Sequence, residues 1–140
     1  MIKYKRLPEN ITELLPKAII YLNAQPEVQF VYLFGGLAKG DPTPLSDLDL
    51  AIYLSPEEHM SERKLEILGK LIDILQTDEI DLVILNRAPL PLRMQILKSR
   101  KILVDKAPFK RHAYESLTMR EYFDFSFIEK GILRRRFFHG

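Results

Sequence analysis

The run Val28–Phe34 (VQFVYLF) is apolar on both alternating faces, ends abruptly on Gly35-Gly36, and is followed after ten residues by Asp47-Leu48-Asp49. A strand apolar on both sides reads as central and doubly covered. Residues 35–46 hold three of the six glycines and two of the nine prolines, so they read as a loop with room for one helical turn. Residues 47–54 then alternate strictly. Leu48, Leu50, Ile52 and Leu54 fall on one face, and the other face opens with Asp47 and Asp49.

The rest of the chain alternates helix and strand patterns. A helix is expected from Asn10 or Thr12 to about Ala24, with Asn10 and Glu13 as a capping box, and a second over residues 61–76 with Ser61 as its N-cap. Residues 80–85 (IDLVIL) read as a third strand carrying Asp81, residues 90–99 as a helix and 102–104 as a short strand. From Pro108 the spacing is helical almost to the end. The expected fold is α/β (α+β), a small mixed sheet with packed helices and a long C-terminal helical segment. At 140 residues one domain is expected, with a core over about 10–105 and a helical tail over 106–140.

Bulk properties exclude several classes. There is no cysteine, which removes disulfides and thiolate metal sites. No apolar run approaches the roughly 20 residues of a membrane helix, and MIKYKRLPEN lacks the apolar core of a secretory signal. A cytoplasmic protein is expected. Residues 106–140 carry 8 basic and 4 acidic groups, against 13 and 15 in the first 105. A solvated helix face accounts for that modest excess, Arg134–Arg136 included, and direct nucleic-acid binding is not expected. Tyr122, Phe123, Phe125, Phe127, Phe137 and Phe138 exceed what one stripe of one helix can bury, so the tail is expected to dock a partner or a second copy of the chain.

Asp47 and Asp49 sit two apart on a strand, so both project from one face, with Cα atoms roughly 6–7 Å apart. Asp81 joins them if its strand is a neighbour. Carboxylates gathered this closely repel unless a cation binds, and magnesium takes hard oxygen ligands of this kind. Glycines at the end of a buried strand let backbone amides approach a phosphate, and Lys39 adds a positive charge nearby. Taken singly, a DxD is usually a solvated turn and a Gly-Gly usually a tight turn. His59, His112 and His139 lack ligand spacing, and Asp41 and Ser46 are explained by a turn beside Pro42 and Pro44. The specific signal is the order: strand, Gly-Gly, ten residues, Asp-x-Asp on a strand, then Asp on a third strand.

That order resembles the signature of the nucleotidyltransferase superfamily. FGGLAKGDPTPLSDLDLAIYL is similar to the signature region of its minimal members, and the similarity extends over most of residues 28–127, through IDLVILNRAPLPLRMQILKSRKILV to RHAYESLTMREYFDF. The nearest resemblance is to MntA-type antitoxins, partners of HEPN-family toxin ribonucleases. It implies the nucleotidyltransferase fold, with helices on one face of the sheet and an open metal and nucleotide face on the other. It also implies that Gly35, Gly36 and Lys39 bind nucleotide and that Asp47, Asp49 and Asp81 are the catalytic and metal-binding residues. ATP is the implied substrate, two Mg2+ ions the implied cofactor, and transfer of AMP to a toxin tyrosine the implied reaction. Gly36 stands where many members of this branch have Ser, and Lys39 where they have Arg. The alternatives are an inactive antitoxin that neutralises by binding, and a transferase acting on a small molecule or RNA end with a partner subunit.

Overall fold

The computed structural model describes residues 10–38 and 48–138, without the side chains of Leu37 and residues 132–138. Asp47, Lys39 and the side chains of Phe137 and Phe138 therefore lie outside the described residues. Four strands form one mixed sheet in the order β3-β2-β1-β4. They are β1 (Val28–Phe34), β2 (Leu48–Leu54), β3 (Ile80–Ile84) and β4 (Lys101–Asp105). β1 runs antiparallel to both β2 and β4, while β2 and β3 are parallel. The helices are α1 (Ile11–Ala24), α2 (Gly35–Ala38), α3 (Met60–Leu75), α4 (Leu90–Ser99) and α5 (Pro108–Phe138), with a 3-10 turn at Leu85–Arg87. This is the mixed α/β fold with a long C-terminal helix that the sequence implies.

Helical spacing places Ile11, Leu14, Ala18 and Leu22 on one stripe of α1, and Ile67, Leu71 and Leu75 on one stripe of α3. Both stripes pack on the sheet face formed by Val31, Leu33, Leu48, Leu50, Ile52, Leu82 and Ile84. The opposite face carries Phe30, Tyr32, Phe34 and Ala51, joined by Ile96 and Leu97 of α4 and Tyr114 of α5. Phe30 stacks on Tyr53 at 4.8 Å between ring centroids, and Tyr114 meets Tyr53 edge-on at 5.5 Å. α4 and α5 thus cover part of the second face. Among the described residues, Asp81 at the other end of that face is exposed.

Two helix starts differ from expectation. Asn10 precedes α1 but makes no side-chain cap hydrogen bond. α3 begins at Met60, one residue before Ser61, after His59 in a left-handed conformation. α3 gains from packing its apolar stripe, so a missing cap does not prevent it from forming.

A buried ion network ties α5 to the sheet. Glu115, 6% exposed, accepts hydrogen bonds from the Tyr32 hydroxyl at 2.6 Å, Arg100 Nε at 2.8 Å and Arg111 Nη1 at 3.2 Å. Arg111 also donates to Asp105 at 3.0 Å. Burial works to raise the Glu115 carboxyl, but the Tyr32 hydroxyl and the two guanidiniums outweigh it and hold it below the usual range. Burial, with the bond to Glu115, pushes the Tyr32 phenol well above its ordinary value.

The signs follow by linkage. Glu115 stabilises the fold above the ordinary carboxylate range, about pH 4, and that contribution is lost as pH falls through its lowered folded value. Tyr32 contributes below about pH 10 and loses that contribution as pH rises further. Chemical denaturation at a series of pH values should give a plateau falling at both ends, with Glu115→Gln flattening the acid limb. Glu115→Ala, which takes the buried carboxylate from Arg100, Arg111 and Tyr32 and leaves Arg111 only Asp105, should cost about 3 kcal/mol. An unchanged denaturation midpoint would remove the network from the stability of the fold.

Beyond Thr118 the helix leaves the core. Phe123, Phe125, Phe127 and Ile128 are exposed, and Tyr122 is half-buried, with Lys98 Nζ 5.9 Å from its ring centroid.

Candidate active site

β1 and β2 meet in antiparallel register with Phe34 opposite Asp49, and β2 and β3 in parallel register with Asp49 opposite Asp81. Paired residues on neighbouring strands point to the same face, about 4.8 Å apart along the hydrogen-bonding direction. The fold therefore sets Asp49 and Asp81, 32 positions apart in sequence, side by side at that end of the second face. Leu48, Leu50 and Leu82, their immediate neighbours, are buried on the other face. Asp49 is half-buried and Asp81 is exposed. β3 is an outer strand, and its position on the edge opens Asp81 to solvent.

Gly35 follows Phe34 directly, in a left-handed conformation with φ +77°. A Cβ on Gly35 would collide with the Asp49 carboxylate oxygen Oδ2 and lie 3.2 Å from its Cγ. The space left by the absent side chain is occupied by the Asp49 carboxyl group. The glycine at this position is required twice, once for backbone sign and once for room.

The Gly35 N–H donates to Ser99 Oγ at 3.2 Å. Ser99 ends α4, 64 residues away, and nothing in the local pattern singled it out. It ties the glycine turn to α4, so the Gly35 amide is engaged within the protein. Gly36 is half-buried in the single turn α2. The structure brings together Gly35, Gly36, Asp49 and Asp81. Lys39 and Asp47 fall in the segment 39–47, outside the described residues.

The residues present suit a divalent cation with a preference for oxygen. Two carboxylates in register on neighbouring strands, one seated against a glycine and the other exposed, are hard oxygen donors of the kind such a cation takes. Among the described residues no group of three acidic or imidazole side chains converges, and the third carboxylate expected from sequence is Asp47. No helix among the described residues is long and apolar enough to cross a membrane.

The chain matches the family described as Polymerase beta, Nucleotidyltransferase over residues 16–109, a span that includes all four strands and every candidate residue. A Methanocaldococcus jannaschii protein named as a protein adenylyltransferase is 31% identical over 116 residues, covering 76% of this chain and 88% of the relative. A chain of a toxin–antitoxin complex solved with AMP-PNP superposes with a TM-score of 0.68 at 26% identity, over 84% of this chain and 94% of that one. A chain from a variant of the MntA–HepT toxin–antitoxin pair gives 0.64 at 26% identity, over 91% and 96%. With its model matching two thirds of the sequence, the chain belongs to the polymerase beta nucleotidyltransferase family.

Proposed function

We propose that this protein is a cytoplasmic antitoxin that transfers AMP from ATP to a tyrosine hydroxyl of a cognate HEPN-family toxin. The observation that carries the reading is the in-register pair Asp49–Asp81 beside a glycine whose missing side chain the Asp49 carboxyl fills. The adenylyltransferase name of the archaeal relative and the likeness to toxin–antitoxin chains, one solved with AMP-PNP, support it.

Asp47, Asp49 and Asp81 would hold two magnesium ions. Magnesium bound there neutralises triphosphate charge and favours the deprotonated acceptor. Gly35, Gly36 and Lys39 would hold the triphosphate. The acceptor oxygen attacks the α-phosphorus, the bond from phosphorus to the β-bridging oxygen breaks, and pyrophosphate leaves. Asp81, exposed at the edge of the sheet, would receive the hydroxyl proton.

Calorimetry of ATP with and without magnesium tests the site. Wild type should bind ATP only with magnesium, and the double variant Asp47→Asn/Asp49→Asn should lose that binding. Wild type that fails to bind under either condition counts against a working transferase. A second reading, neutralisation by binding alone, draws on the Gly35 N–H already engaged by Ser99. It expects the same double variant to protect cells from the toxin as well as wild type does. The transfer reading expects protection to be lost.

A further inference from the structure

Four consecutive residues of β3, from Asp81 to Ile84, line a pocket of about 360 Å3. Successive residues of a strand point to opposite faces, so a cavity touching all four runs along the strand's edge. β3 is the outer strand of the sheet, and its backbone groups on that side have no strand partner among the described residues. Lys64, on the first turns of α3, forms one wall, and Arg87 and Leu92 the other. Neither Lys64 nor Arg87 has an ion-pair partner among the described residues, whereas neighbouring Arg63 and Arg93 are both paired with glutamates.

The pocket and the glycine turn lie on opposite flanks of the acidic pair. Across the sheet the order is Phe34 at the end of β1 with Gly35 after it, then Asp49, then Asp81, which opens onto the pocket. Strand spacing puts the glycine end of β1 roughly 10 Å from β3. A triphosphate held at Gly35-Gly36 therefore leaves this edge to the group that attacks it. In-line displacement needs that separation, with leaving group and nucleophile on opposite sides of the phosphorus.

We propose that this edge is the acceptor site, and that it takes an acidic polypeptide segment as an added extended strand. The segment pairs its backbone with β3, sets its carboxylates on Lys64 and Arg87, and brings its hydroxyl residue to Asp81. This deepens the AMP-transfer reading and rests on it. The volume, near the lower end of ligand pockets at about 300–1,000 Å3, holds a few side chains of an extended segment and not a folded domain.

The test uses the full chain and a capped peptide about seven residues long, the length of one strand, with one tyrosine among glutamates. Hydrogen exchange should show new protection over Ile80–Ile84 on peptide binding. Lys64→Glu with Arg87→Glu should weaken binding about tenfold or more and leave magnesium-dependent ATP affinity as in wild type. A peptide with lysines for glutamates should recover affinity on that variant. N-methylation of alternate peptide amides should abolish binding to wild type, because it removes strand pairing and leaves the charges.

Equal binding to wild type and variant, protection confined to other segments, or no binding at all would each overturn the proposal. A fall in ATP affinity in the variant would assign the pocket to the nucleotide and overturn it as well. Peptide binding is read without nucleotide, so its failure is separate from loss of ATP binding, which counts against the transfer reaction itself.

Discussion

Asp49→Asn should leave the protein folded and lower AMP transfer by about a thousandfold or more. Asparagine matches aspartate in size, and the pairing of Asp49 with Phe34 and Asp81 is made by backbone, so the strand register survives. The loss falls on charge. One of two carboxylates in register disappears, and with it much of the attraction that would hold a divalent cation at that end of the sheet. A thousandfold loss corresponds to about 4 kcal/mol of transition-state stabilisation, within the range of one electrostatic contact in a preorganised site. The measurement is incorporation of labelled AMP into the proposed toxin acceptor, with the unfolding midpoint followed in parallel. Undiminished incorporation would remove Asp49 from the mechanism.

Gly35→Ala combines two penalties at one atom. Alanine at φ +77° is strained by about 1–3 kcal/mol, and its methyl group must displace the Asp49 carboxyl, because the two cannot occupy the same space. A lowered melting temperature and a loss of transfer of about a hundredfold are expected, since a displacement near 1 Å at a reacting site costs about that much. Gly69→Ala is the internal control. Gly69 sits mid-helix in α3 with nothing within 4 Å of an added Cβ. There the substitution should stabilise by about 0.5–1 kcal/mol and leave transfer unchanged. If Gly35→Ala behaves like Gly69→Ala, the close approach of glycine and carboxylate has no functional weight.

The parts of the fold legible in sequence are those governed by local period. Strand alternation gave β2 its apolar face and placed Asp49 on the other side, and the observed strand runs Leu48–Leu54. Helical spacing gave α4 at Leu90–Ser99 and the start of α5 at Pro108. Helix starts were less legible because packing overrides caps, as His59 before α3 and the non-capping Asn10 both show. The exposure of Asp81 was not legible from its apolar neighbours. A five-residue run of that composition suits a central strand as well as an outer one, and only strand order separates them.

The sequence by itself determined the residue types and their order: a glycine pair after a buried strand, an alternating strand that begins with carboxylates, and a third aspartate among apolar residues. Those follow from chain-local rules, in which side-chain period and backbone freedom act over a few residues. The tertiary structure alone decided what meets what. Asp49 stands opposite Asp81 because β2 and β3 pair in parallel, and Ser99 reaches Gly35 across 64 residues because α4 packs beside β1. Glu115 closes on Tyr32 because α5 crosses the sheet. Contacts between distant segments depend on strand order and register, which no local pattern encodes.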